Sequence, residues 1–351
     1  MELTQGFLDR ATRYISTKSD NLIVNPFNTG IEIVGNGVRV EDKAMLAKWA
    51  KRKLVTQSMI LKLVDVANKK GKPERVQSYW NTYHCLERFY ASNGRLHGKY
   101  CKNRICTLCC SIRKAEIINK YYPIMNQWND PHFVTLTVKS IPAKELRRYI
   151  DGFIMLFQKI IDKHRKRHQR GKSIALKGVR SIESNFNPAK RTYNPHFHIT
   201  VAEREMAEII VDEWLSRFNE RHAASWCQKI IKVDSIEKNL IEIIKYGSKI
   251  FTEVDLHKKA NSKTTPYVYV SALDNILTAM SGHRIFERFG FNLPAAQRTS
   301  FKQNITQFDE WMYDPGLRDW QNVNSASVLS EYEPSPHLED ILLNRINTSI
   351  E

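Results

Sequence analysis

Asn194-Pro-His-Phe-His-Ile-Thr-Val201 decides how the rest of this 351-residue chain is read. The run is β-branched and aromatic, with a turn-forming Asn-Pro at its start, and reads as a strand. Residues two apart on a strand share a face, so the imidazoles of His196 and His198 can reach one metal ion. A second strand is legible in His132-Phe-Val-Thr-Leu-Thr-Val138, with Thr135 and Thr137 on one face and Val134, Leu136 and Val138 on the other. Gly178 to Asn185 is a third, and its Glu183 is the nearest good carboxylate to join the histidines. An oxygen ligand beside two imidazoles brings Mg²⁺ or Mn²⁺ into range.

Downstream, Ile241-Glu-Ile-Ile-Lys-Tyr-Gly-Ser-Lys249 lies in a helical stretch, 235–249. Spacings of four and three put Glu242, Tyr246 and Lys249 on one helical face. A phenol with a pKa near 10 is a weak nucleophile at neutral pH and needs a base, a cation or a polarised phosphate. A metal-binding strand pair followed by this tyrosine suggests attack on a phosphodiester. Spacing alone favours an ordinary surface group.

Working outward, 41–70 reads as a long basic helix that Gly71-Lys-Pro73 ends, with further helices at 115–128, 143–169 and 203–222. Ile230 to Val233 suggests a strand, and 267–280 and 284–289 look structured. Ile31–Val34 and Val38–Val40 suggest a hairpin across Gly35-Asn-Gly37. Residues 322–340, rich in Ser, Asn, Pro and acids, read as a flexible tail.

The formal charge is +17, which points to a polyanionic partner. It is unevenly placed: residues 309–351 hold nine acids against two bases, leaving 1–308 with a net +24. The basic run Lys163-His-Arg-Lys-Arg167 is a solvated helix face or a phosphate grip, with Lys163, Arg165, Lys166 and Arg167 as the candidates. No apolar run approaches the roughly 18 residues that span a bilayer, and the first residues do not read as a secretory signal. The expected setting is cytoplasmic.

Five of six cysteines fall between Cys85 and Cys110. In a reducing compartment this clustering points to metal rather than disulfides. Cys106-Thr-Leu-Cys109 is a Cys-x2-Cys pair, with Cys101 upstream and Cys85 as best fourth ligand, His97 competing. Four thiolates favour structural Zn²⁺, against free buried thiols, and Cys110 is expected outside the site. Arg104, Arg113 and Lys114 would make such a knuckle a DNA contact surface.

Taken in order, Phe133-Val-Thr-Leu-Thr137, His196-Phe-His198 and Tyr246-Gly-Ser-Lys249 resemble the three motifs of the HUH endonucleases. The pattern is most similar to rolling-circle plasmid replication initiators of the single-tyrosine Rep_1 type. Gly178 to Asn187 resembles the glutamate segment before the histidine motif, Cys101 to Cys109 the cysteine segment before the first motif, and Glu242 also matches. Asn194 departs, since many relatives have a histidine there. The resemblance covers roughly 80–255.

The resemblance implies an α+β fold: a central antiparallel sheet of the ferredoxin/RRM-like kind, flanked by helices, with a zinc-knuckle-like insertion. It implies that Tyr246 attacks a scissile phosphate in single-stranded or extruded origin DNA. The products are a 5′-phosphotyrosine link and a free 3′-hydroxyl that primes a host polymerase, with a host helicase as a further partner in the bacterial cell. Glu242 would activate water to close the cycle, and His196, His198 and Glu183 would hold Mg²⁺ or Mn²⁺. The expected organisation is an accessory region 1–80, the endonuclease domain 81–255 with its cysteines at 85–110, a helical region 256–308 that could bind DNA, and an acidic flexible tail 309–351. Competing readings are a relaxase or single-strand transposase of the same superfamily, and a non-catalytic zinc-containing DNA-binding protein.

Overall fold

The computed structural model describes residues 31–34, 38–244, 266–294, 302–340 and 342. At its centre is a five-stranded sheet in the order Lys229–Lys232, His132–Thr137, Thr192–Val201, Gly178–Asn187, Phe286–Phe289, with every pair antiparallel. The alternation of His132–Thr137 sets its two faces: Val134 and Leu136 are fully buried, while Phe133, Thr135 and Thr137 are half-buried. Thr135 pairs with His198 and Thr137 with His196. On the other side of the histidine strand, Glu183 pairs with His196 and Ser181 with His198.

Helices cover the face opposite the histidines. The helix Ala143–Gln169 buries Leu146, Ile150, Phe153, Phe157 and Ile160 along one stripe. Phe153 and Phe157 meet Phe197, and Trp214 of the helix Arg204–Leu215 meets both Phe153 and Phe197 edge-on. The histidine face carries a different layer. The helix Ile236–Ile244 is fixed there by the Ser181 hydroxyl donating to the Ile243 carbonyl (3.0 Å) and by a Thr200–Asn239 side-chain bond. The helix Thr107–Met125 packs beside it, and Tyr121 sits edge-on to Phe286, whose register partner is Ser181.

Around this core lies a second layer. Helices Lys43–Lys69 and Pro73–Tyr83 turn at Gly71, whose φ of +61° only glycine takes freely. A second five-stranded sheet runs Asp319–Asn322, Asp309–Asp314, Arg88–Ser92, Arg95–Gly98, Val38–Arg39. Asp274, fully buried on the helix Pro266–Ala279, accepts from Lys70 (2.8 Å), Arg75 (2.5 Å) and the Tyr79 hydroxyl (2.7 Å). The neighbouring Asn275 amide donates to the Tyr193 hydroxyl of the histidine strand.

The fold is α+β, as the motifs imply, with several corrections. The hairpin across Gly35-Asn-Gly37 does not form: Ile31–Val34 pairs with Lys302–Ile305, and Val38–Arg39 with Arg95–Gly98. The helix 203–222 stops at Leu215. The region 256–308 is only partly helical, since Phe286–Phe289 is an edge strand of the central sheet. Nor are residues 309–330 a flexible tail. Asp309–Asp314 pairs with Arg88–Ser92, and Trp320 is fully buried against Phe89 and Tyr313. Its indole donates to the Leu86 carbonyl at 2.7 Å. Acidic composition misled because it averages over two strands whose few large aromatics do the burying.

Trp320→Ala should therefore cost about 3–5 kcal/mol in urea unfolding. A change below about 0.5 kcal/mol, as at surface positions, would place this segment outside the core.

Candidate active site and cysteine centre

His196 and His198 point from one face of their strand, and Glu183 joins them from the adjacent strand at the register partner of His196. The two Nε2 atoms are 3.1 Å apart, and Glu183 Oε2 lies 3.3 Å from His196 Nε2 and 3.5 Å from His198 Nε2. Donor atoms about 2.0–2.2 Å from one ion sit roughly 3.0–3.5 Å from each other, so the three fit a shared cation. His196 Nδ1–H donates to the Asn194 carbonyl at 2.9 Å, which leaves Nε2 as the nitrogen facing the other two ligands: it donates to Glu183 while protonated and offers its lone pair to an ion once the proton leaves. Phe133 stacks on the His198 ring, with centroids 5.2 Å apart and planes 20° from parallel.

Electrostatics prepare the same group for a cation. Burial pushes the Glu183 carboxyl up, but the two imidazoles override it and hold it down to about 2. Asn194, two residues before His196, ties two strands together. Its amide donates to the Val138 carbonyl (2.7 Å) and its oxygen accepts from the Thr137 hydroxyl (3.1 Å). Gln228, which the sequence did not single out, caps the same strand end: it accepts from Thr137 N–H (2.8 Å) and donates to the Thr137 carbonyl (3.2 Å).

Glu242 is half-buried on the helix that packs over this face. The helix meets the sheet at Ser181, two residues from Glu183 and on its side of the strand. Tyr246 and Lys249 lie outside the described residues.

Cys85, Cys101, Cys106 and Cys109 converge, their sulfurs all within 4.8 Å of one another. Cys109 Sγ is 3.6 Å from Cys85 Sγ and 3.7 Å from Cys101 Sγ. A tetrahedron with arms of about 2.3 Å has edges of about 3.8 Å, so the set fits a four-thiolate ion site. Backbone N–H groups of Cys101 and Asn103 point at the sulfurs of Cys85 and Cys101. His97 is not part of the group, and Cys110 turns away to the Arg104 carbonyl. Beside the cluster, buried Lys53 donates to the Cys85 and Tyr83 carbonyls. Burial pulls its ammonium down, to about 8, while Cys85, Glu87, Cys106 and Cys101 pull it back up.

The basic candidates divide. Arg104 is turned inward, donating to the Met280 and His283 carbonyls, which removes it from a DNA-facing surface. Arg113 donates to the Lys102 carbonyl, and Lys114 is half-buried. Lys163 pairs with Glu213 and Arg165 with Asp162, while Lys166 and Arg167 are exposed. The helix carrying this run packs on the sheet face opposite the histidines.

Residues 94–314 match the model of the Rep_1 family, described as replication protein. The chain belongs to the Rep_1 family. The match takes in the three central strands with His196, His198 and Glu183, three of the four clustered cysteines, and the strand Asp309–Asp314. Among curated relatives, a "Protein rep" of Streptococcus pneumoniae serotype 2 is 28% identical over 177 residues, 45% of this chain and 52% of the relative. A "Protein rep" of Staphylococcus aureus is 31% identical over 166 residues, 42% of this chain and 69% of the relative. The chain thus spans about half the length of the pneumococcal protein. No solved structure matches. No helix among the described residues is long and apolar enough to cross a membrane.

The Glu183 carboxyl titrates lower when folded, about 2, than in the unfolded chain. It therefore contributes stability above about pH 4.5 that drains away as pH falls toward its folded value. In metal-free buffer, the stability difference between wild type and Glu183→Gln should be full above about pH 5 and close toward pH 2, read from urea midpoints. A difference independent of pH would contradict the Glu183–histidine pairing.

Proposed function

We propose that this Rep_1 chain initiates rolling-circle plasmid replication by nicking one strand of origin DNA. The convergence of His196, His198 and Glu183 on the face over which the Glu242 helix packs carries the reading. The two histidines and the glutamate would hold Mg²⁺ or Mn²⁺, which when bound supplies positive charge to a non-bridging phosphate oxygen. Tyr246 follows the described end of that helix by two residues. Its phenolic oxygen gives up its proton to solvent and attacks phosphorus, the bond to the 3′-oxygen breaks, and the leaving oxygen takes up a proton from solvent. A 5′-phosphotyrosine and a free 3′-hydroxyl result, and a host polymerase extends the latter, with a host helicase opening the duplex. Lys249 offsets the charge developing on phosphate and phenolate. Glu242 takes a proton from the water that later hydrolyses the link.

The cysteine cluster holds Zn²⁺ in this reading. Its function is structural: it staples the start of the helix Thr107–Met125, which braces the Glu242 helix.

Incubation with a randomised single-stranded DNA library and Mn²⁺ should yield covalent protein–DNA adducts. Tyr246→Phe should lose the adducts and retain DNA binding; adduct formation by the Phe variant would overturn the assignment. Elemental analysis of purified protein should give one equivalent of zinc. Cys109→Ser should lose the zinc and unfold at a lower temperature. A folded, zinc-free wild type would refute the zinc site.

A further inference from the structure

Trp226 is 81% exposed, whereas the other six tryptophans are buried or half-buried. It stands on the short turn Ser225–Cys227, directly before the edge strand Lys229–Lys232. That turn is fastened. Gln228 bonds to both backbone groups of Thr137 and to the Ala224 carbonyl (2.9 Å), and Cys227 N–H returns to the Ala224 carbonyl (3.1 Å). An indole held in water on an anchored turn gains little for folding, and tryptophan is a residue enriched at interfaces; what gives this one meaning is the patch it joins.

The surface between this turn and the histidines is graded from apolar to ligand. On the edge strand, Ile231 is 53% exposed and pairs with Phe133, which stacks on His198. Lys229, Thr135 and His198 form one row across three strands, so two strand spacings, about 10 Å, separate the lysine's backbone from the histidine's. Lys139 and Lys229 are exposed beside the patch, and the Lys139 N–H donates to the His222 carbonyl of the Trp226 loop, next in sequence to exposed Arg221. The acids nearby are Glu183, taken up by the two histidines, Glu220 on the loop, and Asp130, paired with Lys232. Aromatic faces interleaved with cations suit unpaired bases on a phosphate backbone better than a protein or a membrane.

We infer that this edge is a stacking platform for single-stranded DNA: Trp226 stacks on a base flanking the scissile phosphate, and Lys229 holds the backbone that leads to His198. The inference rests on the nicking reading for where the strand leads. Its test does not require cleavage.

The full-length Tyr246→Phe chain, without divalent ions, is titrated with a labelled adenine homopolymer of about a dozen nucleotides and with an abasic strand of equal length. The parent should prefer the strand with bases. Adding Trp226→Ala should weaken binding to that strand roughly tenfold and leave the abasic strand unchanged, whereas Trp226→Phe keeps most of the preference. Lys229→Ala should weaken both strands and flatten the salt dependence. An unchanged melting temperature in Trp226→Ala would support a role in binding rather than in folding. The platform is overturned if Trp226→Ala binds the adenine strand like its parent, if it loses both strands equally, or if it instead dissolves a dimer, which would make a second copy the occupant. A wild type that forms no covalent adduct yet shows the Trp226-dependent preference would sink the nicking reading alone.

Discussion

The register between the threonine and histidine strands is the constraint on which everything else hangs. Side chains alternate with a period of two, so a slip of one residue would turn His196 and His198 into the helix-covered core and push Phe197 into the site. The protein fixes that register from both ends. Phe197 is locked between Phe153, Phe157 and Trp214 on one face. Asn194 and Gln228 pin the end of the threonine strand through its backbone and hydroxyl groups. A third donor from the next strand can then be fixed by pairing alone, because Glu183 stands opposite His196.

The cysteine centre works on the same site from a distance. It gathers a turn after one helix, a loop after a strand and the first turn of Thr107–Met125 at one point. That helix lies against Ile236–Ile244 on the histidine face. Lys53 sits buried beside the sulfurs, bonded to two carbonyls and facing the Tyr313 ring at 4.7 Å. Cys85, Glu87, Cys106 and Cys101 offset the cost of burying its charge, so the helix Lys43–Lys69, the cysteines and the strand Asp309–Asp314 meet in one electrostatic unit.

Much of the site was legible because strands and helices encode side-chain direction in spacing. The His-x-His pair, the alternating threonines and Cys106-x2-Cys109 needed no tertiary information to be grouped. What could not be read were pairings between segments far apart in sequence. Nothing local links Ile31–Val34 to Lys302–Ile305, and the Gly35-Asn-Gly37 turn signal pointed to a hairpin instead. Arg104 looked like a surface cation, since its carbonyl partners at 280 and 283 are set only by the fold. Gln228 was invisible for the same reason: a glutamine that completes a strand end carries no motif. The acidic C-terminal stretch was misread because composition is blind to a single tryptophan filling a core.

That tryptophan has a consequence for how the molecule is made. Its indole closes on Leu86 across 234 positions, and the strand before it, Asp309–Asp314, pairs with Arg88–Ser92. During synthesis the four cysteines emerge with the edge of Arg88–Ser92 unpaired and Phe89 uncovered, and must wait more than two hundred residues for Trp320. The central sheet is delayed in the same way, since its last strand, Phe286–Phe289, follows the histidines by about ninety residues of sequence. A ribosome that stalls before Trp320 therefore leaves a chain whose histidine strand is already translated but whose cysteine module is unfinished. Translation of Trp320 and Phe286–Phe289, rather than of the motifs, sets when the two sheets can close.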